Sequence, residues 1–143
     1  MKFALLFRLA LLFTLTAIFV SASEQKRLPD CCTASTEKLS PQQMKSMVRK
    51  TEPIQPPCCA DQLRLNGTVV LAVAVDDKGK VTCVHSITAH PLIIGVVIES
   101  VSRWEFQAYV ERGRSRNFCG RVALRFQGNE RLVKFDLVEA PPD

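Results

Sequence analysis

The chain has 143 residues, of which 47% are apolar and 23% charged, with six Cys and a formal charge of +5. That size and balance describe one small globular domain with a hydrophobic core plus short extensions. The mild positive excess comes without the concentrated basic face and motif of a nucleic-acid binder, so that class is excluded.

Met1-Lys2 opens the chain, and Phe3 to Val20 is apolar apart from Arg8, ending in Val20-Ser21-Ala22. A positive start, a short apolar run and small residues predict a secretory signal peptide over residues 1–22, cut after about Ala22. The competing reading is an uncleaved anchor, for which the clean run from Leu9 to Val20 is short against about 30 Å of hydrocarbon unless Arg8 snorkels. Loss of Lys2 and Arg8 lowers the charge from +5 to +3. Six Cys in an exported chain fit an oxidising compartment. Leu28-Pro29-Asp30-Cys31 has the Leu-x-x-Cys spacing but follows a polar stretch instead of ending the apolar run, which argues against a lipid anchor at Cys31.

Residues 23–53 form a polar arm jointed by Pro29, Pro41 and Pro53. A short helix is predicted over 41–50, with Ser40 as N-cap and Met44, Met47 and Val48 on one side. The arm is expected to be loosely attached. Two vicinal pairs, Cys31-Cys32 and Cys58-Cys59, bracket it, and the preferred pairing joins the first pair to the second, leaving Cys83 and Cys119 unassigned. Each such bridge would remove unfolded-state entropy equivalent to roughly 3 kcal/mol in the loop model. A redox centre needs two Cys spaced around a helix start, and neither pair has that spacing. A metal site lacks a second regularly spaced ligand pair, so no metal or cofactor is expected.

Residues 54–138 carry the domain, followed by a tail over 139–143. Thr68 to Val75 is an apolar, β-branched run of the kind covered on both faces, with Val69, Leu71, Val73 and Val75 on the side expected to meet a helix. Asp76-Asp77-Lys78-Gly79 supplies turn chemistry, and Lys80 to about Thr88 returns as the second strand of a hairpin. Cys83 and His85 share one of its faces and are expected to be accessible; no nucleophile or carboxylate stands at a spacing that would make His85 a catalytic base. After Pro91 the period changes, and Ile93, Ile94, Val96, Val97, Ile98 and Val101 fill one arc against Gly95, Glu99, Ser102 and Arg103. That partition predicts a helix.

Trp104 and Phe106 are assigned to closing the end of the core. Gln107 to Cys119 is expected to be a loop, whose Arg112, Arg114 and Arg116 are a solvated connector or, on the sharper reading, an anion or membrane-surface contact. Val122, Leu124 and Phe126 point inward from a third strand over Arg121–Gln127, and Arg131 to Val138 alternates as a fourth.

The order Gly67, Val69, Leu71, Val73, Val75, Asp76, Gly79, Val81, then the helix, Trp104-Glu105-Phe106, Gly120-Arg121-Val122 and Leu124-Arg125-Phe126 resembles the carboxy-terminal domain of TonB, the periplasmic module of bacterial energy transducers. The resemblance covers about Ile54 to Gln127. It departs at Ala108, where a Pro commonly follows Trp-x-Phe, and at Pro56-Pro57-Cys58-Cys59, which replaces a Tyr-Pro. It implies an α+β fold, a three- or four-stranded antiparallel sheet with one helix across a face, and a helical turn or two over Cys59–Leu65.

The function it implies is non-enzymatic: an exported protein-interaction module that takes a partner strand at a sheet edge. The partners to consider are an outer-membrane transporter, another periplasmic protein or a second copy of the chain, with the membrane involved only if residues 1–22 stay attached. One alternative is a short energy transducer with a retained anchor that supports transport through outer-membrane receptors, although an arm of this length reaches only roughly 100 Å when extended. Another is a small disulfide-stapled secreted structural or inhibitor protein. The fourth strand matters in every case, because pairing with the third would occupy an edge where a partner strand adds.

Overall fold

The turn after the first long strand shows how local chemistry sets the sheet's register. The Asp76 carboxylate accepts hydrogen bonds from the backbone N–H groups of Lys78 (2.9 Å) and Lys80 (2.8 Å), and Gly79 takes φ 85°. A Cβ at Gly79 would lie 2.1 Å from the Phe106 carbonyl oxygen. Glycine is therefore required there twice, for its backbone and for the close passage of the chain beyond the helix. Lys80 and Gly79 are tied to that passing chain, Gly79 through a 2.8 Å hydrogen bond from the Phe106 N–H to its carbonyl.

The computed structural model describes residues 31–56, 66–128 and 133–141. Along them run β1 (Glu37–Lys38), α1 (Pro41–Ser46), β2 (Val48–Lys50), β3 (Asn66–Val75), β4 (Val81–Thr88), α2 (Ile94–Val101), β5 (Glu105–Phe106), β6 (Tyr109–Glu111), β7 (Arg114–Arg116), β8 (Phe118–Gly128) and β9 (Val133–Val138). The main sheet is five-stranded in the order β1-β8-β3-β4, with β9 also on β8. β3 pairs antiparallel with β4 and with β8, while β1 runs parallel to the start of β8. β2–β5 and β6–β7 form separate two-stranded pairs.

The core lies between β3, β8 and α2. Val69, Leu71, Val73 and Val75 are buried with Ile93, Val97, Val101, Trp104, Phe106, Phe118, Val122, Leu124 and Phe126. Ile94 and Ile98 pack at the margin, partly buried. Trp104 keeps its polar atom satisfied by donating from Nε1 to the Ser100 hydroxyl (3.3 Å), which donates in turn to the Glu52 carbonyl (2.7 Å). Ser100 thus ties the arm to the helix and satisfies the buried indole N–H.

Several expectations are corrected. The sheet is mixed and five-stranded, not antiparallel with three or four strands, and two helices are present among the described residues. The cause is the arm, which is integrated and not loosely attached. Ser40 caps α1 through a reciprocal capping box with Gln43, which carries Met44 into the main core at 0% exposure. Met44 fits because β8 has Gly120 below it; a Cβ there would stand 2.4 Å from Met44 Cγ and 2.9 Å from the Leu39 carbonyl oxygen. α1 ends at Ser46, short of the predicted Lys50, because Val48–Lys50 pairs with β5.

The disulfides are also different. Cys31 bonds Cys83 and Cys32 bonds Cys119, so the first vicinal pair is not joined to Cys58 and Cys59, which lie outside the described residues. Gln107 to Cys119 is not a plain loop: it contains the β6–β7 hairpin and the first two residues of β8. The helix α2 begins at Ile94, after a turn over 91–93 in which Leu92 N–H donates to His90 Nδ1 at 3.3 Å.

Candidate functional site

The sheet's borders are the surfaces on which strand chemistry can occur, and they differ. β8 pairs with β3 along Phe118–Gln127 on one side. Its other side is taken at the start by β1, with Glu37 opposite Phe118 and Lys38 opposite Cys119, and at the end by β9, from Ala123 opposite Val138 to Gly128 opposite Val133. The Leu39 N–H adds a 2.8 Å hydrogen bond to the Cys119 carbonyl. The outer border of β8 is therefore sealed over both ends by the chain itself.

Among the described residues β4 pairs only with β3 along its length, apart from an isolated bridge between Lys80, just before it, and Glu105. Its register shifts twice, once where Thr82 falls between the partners of Ala74 and Val75, and once where Ile87 falls between the partners of Val70 and Leu71. Bulges of this kind twist a border away from regular pairing. Between them Cys83, Val84, His85 and Ser86 remain in register opposite Ala74, Val73, Ala72 and Leu71. Ile87 at the bulge is 43% exposed and Leu92 in the following turn 51%, among the few large apolar side chains open to solvent.

The turn end and the middle of this border are fixed by different means. At the turn end the Lys80 ammonium donates to the Glu105 carboxylate at 2.6 Å. That hydrogen bond and the lysine's charge hold the Glu105 carboxyl below the usual carboxylate range. In the middle, Cys83 on β4 and Cys119 on β8 both stand opposite Ala74 of β3, and Cys31-Cys32 reaches over the alanine to bond one on each side. Ala74, with Ala72 partly buried beside it, makes room for these sulfurs. Three strands are thereby fastened together from the face opposite α2. Cys83 is half-buried in this layer, not an accessible thiol.

Arg112, Arg114 and Arg116 are brought together on the β6–β7 hairpin and are all exposed. Its two-residue loop is Arg112-Gly113, both with positive φ (50° and 75°), the backbone that matches the twist of paired strands. The sequence signal for it was present in Tyr109-Val110-Glu111 and Arg114-Ser115-Arg116 around a Gly, but Arg is a poor marker for a left-handed position, so the hairpin reads as loop. His85 lies within the β4 border and His90 at the start of the helix turn, where it meets the Phe126 ring edge-on at 6.4 Å. Among the described residues no group of three or more His, Cys, Asp or Glu could hold a metal.

The fold is an α+β domain whose strand β4 lies at a border of the sheet. The family described as Gram-negative bacterial TonB protein C-terminal matches residues 55–127, and the chain belongs to that family. Its members are non-enzymatic interaction domains. No curated protein and no solved structure matches the chain. Among the described residues no helix is long and apolar enough to cross a membrane.

Proposed function

We propose that this chain is an exported protein-interaction module that binds an extended segment of an outer-membrane or periplasmic protein by strand addition at the β4 border. One observation carries the reading: β1 and β9 already pair with the outer side of β8, whereas Cys83–Ser86 of β4 keeps a regular border that is paired, among the described residues, with β3 alone; β9, paired with β8 alone, is the competing border. In strand addition the backbone supplies the hydrogen bonds and alternate side-chain pockets supply selectivity. The two bulges confine the exposed ladder to four residues, which suits a short linear segment and discourages indiscriminate edge-to-edge pairing.

The test uses the alternation of the ladder. Consecutive N–H groups on an antiparallel strand point to opposite sides, so of Val84→Pro and His85→Pro one breaks the pairing with β3 and the other meets only the border. The variant that unfolds like the wild type is expected to lose partner capture in an envelope pull-down. Equal capture by that variant would count against strand addition at β4. A concentration-dependent dimer that disappears in the same variant would make the partner a second copy of the chain.

Residues 1–22 are proposed to be removed on export. The intact mass of the exported protein tests this: retention of the segment would favour a short anchored transducer facing the periplasm.

A further inference from the structure

The geometry points to the Cys31–Cys83 bridge as a thiol-exchange site that latches the β4 border, with the Cys32–Cys119 bridge as the fixed one. Both bridges start from the same vicinal pair, yet they end on strands of different standing. Cys119 is fully buried on β8, between β3 on one side and β1 on the other. Cys83 is half-buried on β4, which among the described residues pairs with β3 alone along its length.

A cavity of about 310 Å³ adds a second difference. Cys31 and Cys83 line it together with Thr33, Thr36, Thr82 and Asn117, whereas Cys32 and Cys119 are not among the described residues that do. Exchange requires a thiolate to reach a sulfur, so access decides which bridge reacts. The cavity gives a small dithiol reductant that access at one bridge, past a wall of hydroxyl and amide groups.

One thiolate of the reductant attacks Sγ of Cys83, the less buried of the two residues. A new S–S bond forms, the Cys31–Cys83 bond breaks, and the Cys31 thiolate leaves and takes a proton. The reductant's second thiol then displaces Cys83 in the same way. The reductant departs as its own disulfide, and Cys31 and Cys83 remain as two thiols.

What this releases is narrow. The arm stays attached through Cys32–Cys119, the pairing of β1 with β8 and Met44 in the core. β4 loses the tie that reaches it from outside the β3 ladder, at Cys83, the first residue of its regular border. With the bridge closed, the border is preorganised for an added strand; with it open, a partner must also order the border, which weakens binding. This effect on binding rests on β4 being the accepting border, and the exchange chemistry does not.

The experiment is limited reduction of the chain isolated from the exported fraction with dithiothreitol, after thiols free at the outset are blocked with N-ethylmaleimide. Rapid alkylation with iodoacetamide and peptide mapping then identify the bond opened. A two-thiol intermediate labelled at Cys31 and Cys83 is expected, with Cys32–Cys119 intact. In that intermediate hydrogen exchange should accelerate at Cys83–Ser86 and stay unchanged in β8. Labelling of Cys32 or Cys119 in the two-thiol species, loss of both bridges in one step, or undiminished protection of β4 would overturn the proposal.

A variant carrying Cys31→Ser and Cys83→Ser keeps the other bridge and should lose capture in the envelope pull-down relative to the wild type. Full capture by it, in an assay where the border proline variant loses capture, would overturn the latch and leave the β4 reading standing. Full capture by both variants would instead sink the β4 reading and, with it, the latch's effect on binding.

Discussion

The two long sides of the sheet solve the same problem in opposite ways. β8 is covered by its own chain, β1 at one end and β9 at the other, while β4 is paired with β3 alone among the described residues and blunted by bulges at Thr82 and Ile87. A border that is sealed costs the chain an arm and two disulfides to hold. A border that is bulged needs only two irregular residues. The difference indicates where a partner can be accepted: self-pairing removes β8 from use, and blunting shortens β4 without closing it.

The largest effect is expected from unfastening the sealed side. Replacing Cys31 and Cys32 by Ser removes both bridges, whose closed segments separate their Cys by 52 and 87 residues, and should destabilise the fold by about 3–4 kcal/mol per bridge in denaturant unfolding. Hydrogen exchange should show β1 losing protection while β3 keeps it. If stability holds, the arm is retained by packing alone and the sealing rests on Met44.

Gly120→Ala is the next step down. The added methyl would meet Met44 Cγ and the Leu39 carbonyl oxygen closely, and overpacking of this kind costs about 1–3 kcal/mol. Because the clash lies under α1, the amides of β1 should become more exposed than those of β4. An unchanged melting temperature would mean that the arm does not press on β8.

The smallest effect concerns the turn end of β4. The Lys80 ammonium lowers the Glu105 carboxyl's pKa, so the stabilisation from this pair is present above the carboxyl's unfolded value. It is lost as the pH falls through the lower folded value. Lys80 is exposed and Glu105 partly so, so the stability change is expected to be slight. An NMR titration should place Glu105 below the usual Glu range in the wild type and return it there in Lys80→Met. A midpoint that does not move would remove the pair from the description of this border.

Much of the central layer was legible because it rests on local chemistry. The β-branched run of Val69 to Val75, the Asp76 to Gly79 turn and the helical spacing of Val97 and Val101 each point to the element that forms. The helix start was less legible, since Pro91 invites an early start but Ile93 offers no side-chain cap. What the sequence hid was long-range. Nothing near Cys31-Cys32 says that its partners lie on two strands flanking Ala74, although the small Ala72 and Ala74 in a strand of valines are the trace of sulfurs packed over it. Likewise Gly120 reads as part of a family pattern, and only the contact with Met44 shows the space that it leaves. Edge occupancy was foreseen as a question by the alternation of Arg131 to Val138, and the pairing of β9 with β8 answers it.

The claim that β4 is the accepting border is tested most directly by a photo-reactive residue placed in turn at Val84 and His85 on β4 and at Asp136 on β9, in cells carrying the full chain. An adduct with an envelope protein is expected from a β4 position, mapping to an extended segment of that protein, and none from Asp136. Adducts from Asp136 with none from either β4 position would contradict it and move the working surface to the other side of the sheet.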